Sequence, residues 1–185
     1  RILTLTEADF TLTGSDPIEL PTSVSPAFVD AYKTLADNYE SSYLRDLPTA
    51  RPKMLILSHN SLSDYLASFV EWKKSLGFDI FVANKSEIGS TLDDYKNFIR
   101  NHYLNHRCDY LLLLGDVTGS FSIPTAFYPS PEYQENDADD YQYTLITGDD
   151  YFPEMLVGRF SFNDVSEYMS MANKTIIYER SPYMG

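Results

Sequence analysis

Lys53 to Ser58 reads KMLILS, and this run decides the fold. Its apolar residues are continuous, not alternating, as in a strand buried on both faces of a parallel sheet. Working outward, Ser61 to Leu76 carries Leu62, Tyr65, Leu66, Phe69, Val70 and Leu76 on one helical stripe, and Gly77 stands where such a helix stops. Phe78 to Ala83 (FDIFVA) is a second strand. Ser90 is placed to cap the next helix, with Asp93 and Asp94 in its first turn and Leu92, Tyr95, Ile99, His102 and Tyr103 along it. Asp109 to Leu114 (DYLLLL) is a third strand and ends in Gly115-Asp116. A long loop follows to about Asp140. Tyr141 to Thr147 is predicted as a fourth strand or hairpin arm, and Met155 to Phe160 as the last strand. Asp164 caps a final helix, with Glu167 three residues on.

Successive strand–helix units of this kind imply an α/β fold, a mostly parallel sheet with helices on both faces and right-handed connections. Upstream the pattern differs. Residues 1–25 hold two short alternating patches, and from Ala27 a helical stripe runs through Phe28, Tyr32, Leu35, Tyr39 and Tyr43. Residues 1–50 are therefore expected to be an added arm or the tail of a preceding domain, and 51–185 the α/β unit. The chain opens on Arg1, which suggests a processed or excised product.

Of 185 residues, 27 are Asp or Glu and 14 are Lys or Arg, a net charge of −13. Such a chain repels nucleic acid and anionic membrane, so neither is expected as a partner. No apolar run reaches the length of a membrane span. The single cysteine, Cys108, excludes an intramolecular disulfide, and no zinc-ligand spacing is present. No glycine-rich phosphate loop is present either, so no organic cofactor is expected.

Candidate chemistry gathers around Asp149 to Phe162, DDYFPEMLVGRFSF. Glu154 lies at the mouth of an apolar strand, where a carboxylate is costly without a partner. Loops at strand ends are also where such folds place chemistry, so Glu154 is the leading site residue. Its bland reading is an ion pair with Arg159. Asp140, Asp149 and Asp150, with Asp137 and Asp139, form an acidic set with the oxygen chemistry for Ca²⁺, or simply a solvated loop. His59 and Asp116 follow the first and third strands, at the edge where ligands bind. His102, His106 and Cys108 read as structural: Cys108 precedes its strand and has no visible base.

The ordered set carries a resemblance. Met54 to Leu57 with Phe69-Val70-Glu71-Trp72-Lys73, then Tyr110 to Asp116, then Asp140 to Tyr143 with Gly148-Asp149-Asp150, then Glu154 to Ser161 and Thr175 to Arg180, resembles the gingipain-type cysteine peptidases, peptidase family C25. The resemblance covers about residues 51–180. It implies a caspase-like fold of two subdomains, of which this chain would be the first. The nucleophilic Cys and the His base would lie in the second subdomain, the main partner. Glu154 falls at the position matched to the acid that orients the catalytic His. The resemblance further implies a secreted or surface-displayed bacterial endopeptidase acting on protein or peptide, with this piece inactive alone. The alternatives are a C25-like module of a secretion or sortase machinery, and an unrelated flavodoxin-like binding domain.

Overall fold

The computed structural model describes residues 50–129 and 136–182, together with Val29 and Thr34. The patches and helical stripe expected upstream lie outside the described residues, those two positions apart. The chain starts with β1 (Lys53–Ser58), a 3-10 segment (Asn60–Tyr65) and α1 (Ala67–Ser75). It continues with β2 (Asp79–Asn84), the single-turn α2 (Lys85–Ile88), α3 (Leu92–His106) and β3 (Tyr110–Leu114). A small hairpin follows, β4 (Ala126–Pro129) and β5 (Asn136–Asp139), then a second 3-10 segment (Asp140–Tyr143), β6 (Leu156–Phe160) and α4 (Val165–Arg180).

The main sheet has the order β2-β1-β3-β6, and each pairing is parallel. Strand periodicity of two sorts its side chains into two layers. Leu55, Leu57, Leu111 and Leu113 face Tyr95 and Ile99 of α3 and the loop residues Tyr143, Ile146 and Met155. Met54, Ile56 and Leu114 face Leu62, Leu66 and Phe69 before and within α1, and Tyr168 and Ala172 of α4. Helices therefore cover both faces, as the continuous apolar run in β1 requires. Each such Leu or Ile contributes about 2 kcal/mol relative to exposure. One polar latch closes the second layer: Lys73 Nζ and Trp72 Nε1 both donate to the Glu179 carboxylate, at 2.5 and 2.8 Å.

The direction in which strands are added across the sheet reverses at β1, since β2 lies on one side of β1 and β3 on the other. This is the topological switch point at which open α/β sheets bind ligands, outside the carboxyl ends of the strands. Gly115 makes the turn there. Its φ is +148°, and a Cβ would sit 1.9 Å from the Phe121 carbonyl oxygen. Backbone contact at that distance excludes every residue with a side chain.

Several expectations are corrected. Tyr141 to Thr147 is not a strand: the Asp139 carboxylate accepts from Tyr141 N and Thr144 N donates to Tyr141 O, which winds the segment into a 3-10 turn. Local side-chain acceptors outcompete a ladder in this way. The long loop contains the β4–β5 hairpin. The helix expected from Ser61 to Leu76 is broken at Leu66 into a 3-10 and an α portion. The cap of α3 is Thr91, one residue later than Ser90: its hydroxyl accepts from Asp94 N while the Asp94 carboxylate accepts from Thr91 N and Ser90 N.

Candidate functional site

The carboxyl edge of the sheet collects His59, Asn84, Asp116 and Ser161, the residues that follow β1, end β2, follow β3 and follow β6. The His59 ring packs edge-on against Phe121 at 5.5 Å, and Nδ1 accepts from Ser61 N at 3.2 Å. Ser58, fully buried, donates to Asn84 Oδ1 at 2.9 Å, tying the ends of β1 and β2. Asp116 Oδ1 accepts from Ser161 Oγ and Val117 N, both at 2.8 Å. The Ser161 hydroxyl first, then the Val117 amide, hold the Asp116 carboxyl below the usual range.

Arg159 anchors this edge from below. Its Nε and Nη2 meet the two oxygens of Asp140 at 2.8 and 2.7 Å, a bidentate pair, and Nη1 donates to Gly115 O at 2.8 Å and Ile123 O at 3.2 Å. Thr125 Oγ1 adds a bond to Asp140 at 2.8 Å. Burial works to raise the Asp140 pKa, but the Arg159 guanidinium and the Thr125 hydroxyl outweigh it and hold the carboxyl below its ordinary value. One guanidinium thus joins β6, the turn after β3 and the segment after the hairpin. The planar fork of arginine is suited to this, and lysine is not. The pairing differs from the Glu154–Arg159 pair entertained from sequence.

Glu154 lies elsewhere. It precedes β6, so it stands at the amino end of the sheet, opposite the Gly115–Asp116 turn. Its Oε2 accepts from Ile146 N at 2.7 Å, its Oε1 from Thr147 N at 3.2 Å and from the Thr147 hydroxyl, and its own N donates to Thr144 O at 3.0 Å. Both oxygens close the 144–154 loop upon itself. This corrects the reading of its strand end as the ligand-binding one: Glu154 stands at the amino end of β6.

The acidic set is also dispersed. Asp140 is spent on Arg159 and Thr125. Asp150 caps Phe152 N at 2.8 Å, and Asp149 is exposed beside it. Among the described residues no group of three His, Cys, Asp or Glu is placed to hold a metal ion. Asp149 and Asp150 alone do not make a Ca²⁺ cage, which takes six to eight oxygens.

Cys108 is buried at the amino edge, and burial pushes its thiol up to about 12. His102 and His106 lie on the last turns of α3, their rings 4.5 Å apart and both against Phe81. Burial, then the neighbouring charges of His106 and Lys53, lower the His102 pKa to about 4. A thiolate nucleophile needs the opposite environment. The Arg159–Asp140 pair is the feature that sequence reading missed. Both residues were singled out, but their 19-residue separation offered no spacing signal.

A model of peptidase family C25 matches residues 47–185. The chain is 28% identical over 174 residues to gingipain R2 of Porphyromonas gingivalis, an alignment covering 91% of this chain and 22% of that protein. The chain thus spans about a fifth of the length of that curated relative. The crystal structure of the Arg-specific cysteine proteinase gingipain R superposes with a TM-score of 0.59 at 25% identity, over 69% of this chain and 28% of that one. A complex of the Porphyromonas gingivalis RgpB pro- and mature domains gives a TM-score of 0.60 at 25% identity, over 68% and 29%. The architecture is accordingly the caspase-like α/β arrangement of those neighbours.

Proposed function

This chain belongs to peptidase family C25, and from that premise we propose that it is the amino-terminal subdomain of a gingipain-type cysteine endopeptidase, secreted or surface-displayed. In this reading residues 51–185 form one wall of the substrate cleft, at the carboxyl edge around His59, Asp116 and Ser161. The nucleophilic thiol and its histidine base come from a second subdomain, the partner of this one, and the substrate is protein or peptide. Residues 1–50 remain an arm or a preceding domain.

The observation that carries the division of labour is the separation of the chain's sulfur and that edge. Cys108 sits before β3, and His59 sits after the adjacent β1. The five residue steps from Lys53 to Ser58 put the two ends roughly 17 Å apart at the usual rise of a strand. Proton transfer from thiol to imidazole needs hydrogen-bond reach. His102 and His106 are on the same side as Cys108, but a thiol raised to about 12 in an apolar core has no thiolate to offer near neutral pH. No other cysteine or histidine exists in the 185 residues.

The test is an assay of the purified chain on fluorogenic Arg-containing peptides, beside its Cys108→Ala variant. No turnover above the buffer rate is expected from either. Cleavage that disappears in Cys108→Ala would end this reading. A Ca²⁺ ion at Asp149 and Asp150 would need further oxygens from outside the acidic set. A thermal melt with and without chelator reads it directly, since a ligand bound only to the native state raises the apparent Tm.

A further inference from the structure

A groove of about 230 Å³ lies between the outer face of α3 and the 142–146 segment. Lys96, Asn97, Arg100 and Gln142 line it, over a floor that includes Leu145 and Ile146. Among the described residues no carboxylate lines it, in a chain with 27 of them. Lys96 and Arg100 are four residues apart on one helix and so share a face. Arg100 gives one Nη1 hydrogen to the Ile146 carbonyl, which fixes the guanidinium against the floor. Lys96 has no hydrogen-bond or ion-pair partner among the described residues. By contrast Lys73 is paired with Glu179, Arg159 with Asp140 and Arg51 with Asp79.

We propose that this groove is a binding site for a carboxylate on a short aliphatic stem, presented by another polypeptide as a Glu side chain or as a chain end. The donors are the Lys96 ammonium, the Arg100 hydrogens not given to Ile146 O, the Asn97 amide and the second Nε2 hydrogen of Gln142, whose first goes to the Tyr128 hydroxyl at 3.0 Å; together they answer the lone pairs of one carboxylate. The apolar floor suits the carbons behind it, which a bare inorganic anion lacks. The volume is below the roughly 300–1,000 Å³ of pockets that hold drug-sized ligands, so a nucleotide or organic cofactor is excluded on size. The surrounding negative charge repels anions at long range, so a ligand must gain its energy inside the groove. None of the groove's lining residues is used in the peptidase reading, so the two stand or fall separately.

The experiment is a titration of the ¹⁵N-labelled 185-residue chain at constant ionic strength. The probes are N-acetyl-glutamate α-amide, N-acetyl-alanyl-alanine, and sodium sulfate as the inorganic control. Saturable amide shifts confined to residues 96–100 and 142–146 are expected from one or both carboxylates, with Kd about 1–10 mM. The probe that saturates first names the source, side chain or chain end. Lys96→Met keeps the stem and should weaken binding about tenfold. Gln142→Ala should weaken it as well, and because it also removes the bond to the Tyr128 hydroxyl, Lys96→Met is the deciding variant. Sulfate binding as tight as the carboxylates, shifts unchanged in both variants, or no saturation up to about 50 mM would each overturn the proposal.

Discussion

At the scale of single residues, Arg159 decides most. Its guanidinium is the common point of a bidentate pair with Asp140 and of bonds to the Gly115 and Ile123 carbonyls. Both side chains are largely removed from water, at 10% and 22% exposure. Removing one partner leaves a desolvated charge, so Asp140→Asn and Arg159→Met should each cost about 3 kcal/mol in urea unfolding. The double variant Asp140→Asn/Arg159→Met should cost less than the sum of the two, and additivity would show that the pair is not coupled. His102 sets a pH dependence. Its folded pKa of about 4 lies below the ordinary 6.5, so the folded state disfavours the protonated ring. The stabilisation is complete above about pH 6.5 and drains away as pH falls towards 4. The linkage caps it near ~3 kcal/mol, less for the ring's partial exposure. The groups facing the ring are His106 on its own helix, Lys53 on β1, and the uncharged Phe81 and Phe98. His102→Phe should flatten the stability profile between pH 6.5 and 4, and an unchanged profile would remove His102 as its cause.

At the scale of elements, two glycines of the resemblance motifs part company. Gly115 is forced by φ +148° and by the Phe121 carbonyl, so Gly115→Ala should strip the turn after β3 and leave little soluble native protein. Gly158, within β6, has nothing within 4 Å of where a Cβ would stand. Gly158→Ala should fall within about 0.5 kcal/mol of the parent in the same unfolding assay. A severe loss there would show that this face of β6 does not stand open. The strands and helices were legible because their signals are local: the unbroken apolar run of β1, the stripe of α3, the Asp164–Glu167 cap. The direction of the sheet was legible too, from the strand–helix alternation. What escaped was decided by geometry across the chain. Tyr141 to Thr147 has strand-forming residues, yet Asp139 and Thr144 turn it. Glu154 was identified as a residue that needs partners, and it has them. Its position before the strand puts it at the amino edge, and its partners are amides of its own loop.

At the scale of the whole molecule, the sheet has two ends with different chemistry, and Cys108 is the reporter for the amino end, where no site is proposed. It lies among Leu55, Leu57, Leu111 and Ile99 in the layer beneath α3, 1% exposed. Reaction of its thiol with a maleimide or an aromatic disulfide needs that layer to open and the thiol to ionise, and burial opposes both. Labelling of the native chain at pH 7.5 should therefore be slower by several orders of magnitude than labelling in urea. The labelling rate should rise with denaturant along the same transition as the circular dichroism signal, because the opening that frees Cys108 is the loss of the core itself. A rapid native reaction with an apparent pKa near 7 would reveal an accessible thiolate. That would place a nucleophile at the amino edge and undo the proposed division of the molecule into a bonded structural end and an end that faces substrate.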